Sequence, residues 1–256
     1  MKFQFIKRVS VCVILAVFAT QPAWAFDFST WDRLLKKYVK ETTIDGVNLH
    51  GVHYQTLAQD PLYKSLVNDL ETVSLSDLRT TQEKLAFWIN VYNIMAVKMV
   101  LDHYPVESIK DAGSFFQAVW NKDVGTVGEK TRTLNEIEHE ILRTLGEPRI
   151  HVAIVCASVS CPDLRTEAYT VKDLNAQLDD QLRKFLANKE KGLRVDRANS
   201  HVYLSSIFKW FDEDFESKGG VIEFLTPFAP DDMQGTLKSG ALRITYLDYN
   251  WDLNEL

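Results

Sequence analysis

From Gln82 to Leu101 the chain runs without Gly or Pro and is apolar on almost every side. A soluble helix of that kind passes through the middle of a domain rather than along its surface. At about 100° per residue, Lys84 and Lys98 fall together on one narrow solvent side. Asn90 and Asn93, one turn apart, project from the far side with Ala86, Val97 and Val100. Two carboxamides are thus carried inward, where each unpaired polar group costs on the order of 1–3 kcal/mol. Either they tie down neighbouring loops through backbone hydrogen bonds, or they line a site.

The start of the chain has a different character. Lys2, Lys7 and Arg8 precede an apolar run from Val9 to Ala19 and then Ala23-Trp24-Ala25, the pattern of a cleavable signal peptide over residues 1–25. That run is too short to span a bilayer, and the residue after the cut is Phe26, not the Cys of a lipoprotein. The expectation is an exported chain, periplasmic or secreted, without membrane insertion after cleavage. Residues 26–256 are expected to form a single globular domain. Removing three cations from a chain of formal charge −6 leaves −9, with no basic cluster, so nucleic acid and anionic membrane surfaces are poor partners. Cys156 and Cys161 remain after export, and in an oxidising compartment so close a pair suggests a disulfide.

Along the rest of the chain, residues 29–42 read as an amphipathic helix capped by Ser29 or Thr30. Asp45-Gly46 turns into a short strand from Val47 to Tyr54. That strand holds His50 and His53 on opposite faces, a poor arrangement for a shared metal. Asp60-Pro61 starts a helix through about Val73. Residues 113–132, with Gly113, Gly125 and Gly128, read as an irregular segment and a candidate lid. Thr133-x-x-Glu136 is a capping box for a helix closed by Gly146 and Pro148. Leu134, Ile137, Ile141 and Leu145 form its buried stripe, and Glu138 projects within it. An interior carboxylate is paired or has a raised pKa; Arg149 and Arg165 are candidate partners, and Glu138→Gln then destabilises the fold. His139 falls toward the edge of the apolar face. Thr170 caps a helix carrying Leu174, Leu178, Leu182, Phe185 and Leu186. A hairpin follows across Ala198-Asn199-Ser200, then short helices over 206–215 and 220–225, and a closing strand from Leu242 to Tyr249.

Reactive side chains concentrate between His151 and Arg165. With Ile150 to Val155 as a strand, His151 and Cys156 face opposite sides, and they pair only if the strand ends or bulges at Cys156. Cys161 precedes Pro162, which favours a first helical position, so Cys161 is a candidate helix cap with an activated thiol. The alternative is a structural Cys156–Cys161 disulfide, whose small loop contributes roughly 2 kcal/mol. Two thiols and scattered histidines make a poor zinc set. No phosphate loop, nucleophile elbow or H-E-x-x-H occurs, so neither a metal nor a cofactor is expected.

Four ordered motifs, Phe87-Trp-Ile-Asn-Val-Tyr-Asn93, Thr133 to Arg143, Pro148 to Cys156 and Ser160-Cys-Pro162, make the chain similar to the domain of unknown function 547 family. The resemblance extends from about Val47 to Phe228, and the Tyr249-Asn-Trp-Asp252 ending also resembles it. Members commonly carry a Gly after the first Cys, where this chain has Ala157, which argues against a left-handed backbone there. Relatives fused to glutaredoxin-like domains imply thiol chemistry as a theme. The chain departs from papain-like and transglutaminase-like hydrolases, because its central helix carries Asn90 and no Cys.

These readings combine into an α+β fold, a small and mostly antiparallel sheet packed by helices around a buried central helix, 82–101. One functional expectation is a thiol-dependent hydrolase or acyl transferase on a peptide or amide. In it Cys156 or Cys161 is the nucleophile and His151 or His139 the base, Glu138 orients that base, and Asn90, Asn93 and Arg165 bind. The other is a binding or scaffolding module with the cysteines as a staple. A redox pair is a third, although C-x4-C is looser than the C-x-x-C of dithiol oxidoreductases.

Overall fold

The computed structural model describes residues 26–114, 117–240 and 242–256. The signal peptide expected over residues 1–25 lies outside the described residues, as do Phe115 and Phe116 of the expected lid.

Helix α1 (Ser29–Tyr38) buries Trp31, Leu34, Leu35 and Tyr38 along one stripe. Its first turn is held by Asp27, which accepts from both the amide and the hydroxyl of Ser29, rather than by Ser29 or Thr30 as a cap. The β-branched run that follows extends instead of continuing the helix, giving β1 (Val39–Ile44). Asp45 and Gly46, with φ of 52° and 81°, make the two-residue turn into antiparallel β2 (Val47–Val52). After the single turn α2 (Tyr54–Leu57), Asp60 caps α3 (Pro61–Glu71) by accepting from the Leu62 amide.

The centre of the molecule is α4 (Thr81–His103), opened by a complete Thr80–Glu83 capping box. Every residue from Leu85 to Val97 is buried, while Lys84 is exposed and Lys98 half-buried.

The expected lid over 113–132 is largely a hairpin, β3 (Asp123–Val127) and β4 (Lys130–Thr133). Its glycines serve geometry rather than looseness. Gly128 and Glu129 have φ of 58° and 63° at the turn, and a Cβ on Gly125 would lie 2.9 Å from the Met95 sulfur of α4.

The helix signposted by Thr133 begins as expected, with Thr133 Oγ1 accepting from the Glu136 amide at 3.0 Å. Its capping box is only half made, because the Glu136 carboxylate turns to Lys130 and Arg132. The helix then widens into a π-helix, Glu136–Leu142, before tightening to a 3₁₀ turn, Arg143–Leu145. The wider turn rotates later side chains, so Leu142 is fully buried while Ile141 and Leu145 are half-buried.

Ile150 to Val155 is not a strand. Glu147 caps the Arg149 amide and Pro148 takes a first helical position, so a 3₁₀ helix, Pro148–Val152, forms before the β-branched run can extend. Nor does Cys161-Pro162 open a helix, because the next residues are held in irregular backbone by tertiary contacts. Asp163 accepts from His50 N and Lys191 Nζ. Cys161 therefore has no helix dipole behind it.

Helix α5 (Leu174–Ala187) follows, with Asp173 as its cap and Thr170 starting the preceding turn. Strands β5 (Leu193–Asp196) and β6 (His201–Leu204) form the expected hairpin. Helix α6 (Ile207–Trp210), a 3₁₀ helix Asp212–Lys218, α7 (Val221–Leu225), the unforeseen α8 (Asp231–Leu237) and β7 (Arg243–Tyr246) complete the order. Strand β7 pairs parallel to β6; the other strand pairs are antiparallel. The described residues thus form a single α+β domain with small sheets around a buried helix.

The end of the chain acts as a strap. Along one edge Val159 N donates to Asp252 O, Ser160 N to Asn250 O, and Asn254 N to Ala157 O. Along the other, Val52 N donates to Asn254 O and Leu256 N to Val52 O. The Cys156–Cys161 segment and β2 are thereby fastened to opposite sides of residues 250–256.

Candidate functional site

A cleft of about 500 Å³ opens where the central helix, the π-helix, the cysteine segment and the strap meet. Tyr92 comes from α4, Glu138 and His139 from the π-helix, His151 from the 3₁₀ helix, and Cys156 and Cys161 from the segment after it. Trp120, Trp210 and Trp251 supply aromatic walls; the Trp210 and Trp251 rings stack 5.8 Å apart and Trp120 meets Trp251 edge-on at 5.6 Å.

Loss of the expected strand puts His151 and Cys156 on one cleft. His151 is buried, stacks on Phe211 at 4.0 Å, and brings Nε2 to 2.6 Å from Asp214 Oδ2. Asp214 is gripped in turn by Arg143, through Nε at 2.7 Å and Nη2 at 2.8 Å. Burial lowers the His151 pKa to about 4 against the opposing pull of Asp214. The ring is therefore neutral at pH 7: Nε2–H donates to Asp214, and Nδ1 carries the lone pair. That Nδ1 is buried and without a hydrogen-bond partner among the described residues. Burial would raise Asp214, but its bonds to Arg143 and His151 win and hold it below the usual carboxylate range. His139 lies on the exposed rim, 2.9 Å from Arg143 Nη1; partial burial and the Arg143 charge push its pKa down.

Cys156 sits among donors. Its sulfur is 3.1 Å from Cys161 Sγ, 3.2 Å from Ser158 Oγ and 3.1 Å from Tyr249 Oη. Hydrogen bonds from the Cys161 thiol, both hydroxyls and the Ser158 amide outweigh burial and bring Cys156 down to about 7. Cys161 moves the other way, pushed up by burial and by the neighbouring thiolate. Its sulfur accepts from the Cys156 amide at 2.9 Å. Tyr249 is itself held above its ordinary pKa by burial and the thiols, so its hydroxyl stays a donor. Ala157 adopts φ of 57° despite its side chain, so the left-handed backbone expected only of Gly is present here. That conformation, with the Cys161 N to Ser158 O turn at 3.1 Å, folds Cys161 back beside Cys156.

Glu138 is buried, and among the described residues its carboxylate has one hydrogen bond, from the Tyr92 hydroxyl at 3.1 Å. The ion pair expected with Arg149 or Arg165 is not made. Arg149 binds Glu147 and Asp179, and Arg165 binds Glu167 and Asp180. With no cation in contact among the described residues, burial raises the Glu138 pKa to about 7.

The expected binding residues stand apart from the cleft. Asn90 donates to Ala86 O and Tyr169 O and accepts from Tyr169 N. Asn93 donates to Ala153 O and accepts from Val155 N, both at 2.9 Å. The two carboxamides are thus internal braces, with Asn93 positioning the backbone just before Cys156. Arg165 is engaged on the face of α5. The sequence reading missed Tyr92, Arg143, Asp214 and Tyr249. For Tyr92, Arg143 and Tyr249 the signal was present, since all three belong to motifs already singled out.

The fold and site define an α+β domain with a thiol-centred, aromatic-walled cleft. A family model, Protein of unknown function, DUF547, matches residues 75–186, and over that stretch the chain resembles the family. The matched span holds α4, Glu138, His151 and both cysteines, whereas Asp214, Tyr249 and Trp251 come from beyond it. No curated protein and no solved structure matches the chain.

Proposed function

We propose that the protein is an exported thiol-dependent hydrolase or acyl transferase acting on a peptide or amide, with Cys156 as nucleophile. The observation that carries this reading is the cluster of donors around Cys156 Sγ, on a cleft lined also by the buried Glu138 carboxyl, which burial raises to about 7. A donor-rich environment favours thiolate over thiol at physiological pH, and the thiolate is the attacking species. Attack on an amide carbonyl forms a thioester as the C–N bond breaks. Glu138, partly protonated near pH 7, gives the departing amine its proton and then takes one from the water or amine that cleaves the thioester. His151, neutral and oriented by the Asp214–Arg143 pair, offers a hydrogen-bond-accepting lone pair at Nδ1. The Trp120, Trp210 and Trp251 walls suit an uncharged, largely apolar group beside the scissile bond.

The scaffolding alternative retains one supporting observation, the 3.1 Å approach of the two sulfurs. Acylation of reduced protein by an activated ester, followed by intact mass, separates the two. One acyl group on the parent and on Cys161→Ser, none on Cys156→Ser, is expected. A thiol that alkylates only with an ordinary pKa of about 8.5 and takes no acyl group would sink the enzyme reading.

A further inference from the structure

The nucleophile of this cleft is not alone. Cys161 is buried, while Cys156 is partly exposed to the cleft, and their sulfurs meet at 3.1 Å through a six-residue loop. Two features hold that loop shut: the left-handed Ala157, and the strap bonds from Asn250 and Asp252 to residues 159–160. An S–S bond needs a separation of about 2.05 Å, so the thiols are about 1 Å from bonding distance. A permanent staple has no need for an outer sulfur that opens on a cleft and is ringed by hydroxyl donors.

We propose that Cys161 is a resolving thiol, so that the cleft reduces small organic disulfides by dithiol–disulfide exchange at Cys156. This inference rests on the reading of Cys156 as the reactive sulfur. In the first step Cys156 thiolate attacks one sulfur of R–S–S–R, forming a mixed disulfide and releasing R–S⁻. In the second, Cys161 attacks Cys156 Sγ, the internal S–S bond forms, and the second R–S⁻ leaves, taking up the Cys161 proton. The substrate disulfide gains two electrons and the cysteine pair loses them; two external thiols reverse the sequence. Once Cys156 is tied into a mixed disulfide its negative charge is gone, which removes the hydrogen bond and the charge by which it holds Cys161 protonated and leaves burial alone.

The test uses fully reduced protein, glutathione disulfide as the probe, and intact mass spectrometry. The parent is expected to lose two hydrogens and carry no adduct. Cys161→Ser and Cys161→Ala are expected to retain one glutathione each, and Cys156→Ser none. Circular dichroism on the variants checks that each is folded, and the pair of Cys161 substitutions guards against one failing. A parent that keeps its glutathione as fully as the Cys161 variants would overturn the inference. If that happens while Cys156 still takes an acyl group, the proposed function stands and only the resolving role falls. If neither reagent modifies Cys156, both fall together.

Discussion

Tyr249 Oη lies 3.1 Å from Cys156 Sγ although 93 residues separate them in the chain. The contact exists because the strap pairs with the cysteine segment residue by residue, from Asn250 against Ser160 to Asn254 against Ala157. A cleft built largely within the family-matched span is thus completed by a side chain outside it.

Tyr249→Phe removes one donor from the thiolate and leaves the ring in place. Loss of a hydrogen bond to a charged group is worth roughly 1.5–3 kcal/mol, or about 1–2 pKa units. The iodoacetamide alkylation rate of Cys156 at pH 7 is expected to fall about tenfold, while the limiting rate at high pH is preserved. An inflection that stays where the parent has it would show that Tyr249 does not support the thiolate.

Glu138 and His151 have opposite effects on stability as pH changes. The Glu138 pKa rises from 4.5 to about 7 on folding, so the native state holds a proton the unfolded chain has released. Stability from this group is present below pH 4.5 and is lost as pH rises to about 7, a change on the order of 3 kcal/mol. His151 falls from 6.5 to about 4 on folding. Its contribution is present above pH 6.5 and is lost as pH falls toward 4, by a similar amount. Between pH 4.5 and 6.5 the two slopes cancel. Glu138→Gln keeps an acceptor for Tyr92 and removes only the Glu138 slope, so its stability relative to the parent is expected to climb by about 3 kcal/mol from pH 4.5 to 7.5. Urea unfolding at several pH values measures this, and a constant difference would contradict it. The expectation that this substitution destabilises rested on a charge pair; it reverses because the carboxylate has no cation in contact among the described residues.

How far the sequence could be read depended on whether a signal was local. The burial of α4, its two carboxamides and an interior Glu138 followed from periodicity alone, because a 3.6-residue repeat fixes which faces meet the core. The reading failed where a competing local signal or a tertiary contact overrode the propensity that had been read. Ile150 to Val155 has strand propensity, yet the Glu147–Pro148 start commits its first residues to a 3₁₀ helix. Gly125 and Gly128 looked like loop signals, but one admits Met95 and the other makes a hairpin turn. Asp214 was beyond reach, since nothing within a few residues of it marks its approach to His151; Tyr249 stood in a motif already singled out, but only the strap's pairing brings it to Cys156. Asn90 and Asn93 were expected either to brace or to line the site, and only coordinates could choose between the two.

Asn93→Leu deletes both bonds to the segment before Cys156, leaving Ala153 O and Val155 N buried without partners. At about 1–3 kcal/mol for each of these two unsatisfied groups, a loss of roughly 2–6 kcal/mol is expected by chemical denaturation. Asn90→Leu is expected to cost a comparable amount through Tyr169. The two differ in what they do to the thiol. Asn93→Leu shifts the pH profile of Cys156 alkylation in the folded protein, and Asn90→Leu does not. Identical profiles for both would remove Asn93 as a positioning residue.

Ala157 gives the last prediction, because three effects of similar size compete at one backbone position. A left-handed conformation costs an L-residue about 1–2 kcal/mol, which Gly would recover. Against that, Ala157→Gly exposes no new polar group but removes a buried methyl, about 0.8 kcal/mol, and loosens the unfolded chain by a further 0.4–1 kcal/mol or so. These nearly cancel, so Ala157→Gly is expected to leave the melting temperature within a few degrees of the parent. Ala157→Val has no such compensation: a β-branched side chain is strained at φ of 57°, and the site is buried at 2% exposure. It is expected to destabilise by more than about 3 kcal/mol and to separate the two sulfurs, since the same backbone turn brings Cys161 back to Cys156. Calorimetry gives the first quantity. The rate of internal disulfide formation under glutathione disulfide gives the second, and a Val variant that oxidises as fast as the parent would show that the left-handed turn is not what brings the thiols together.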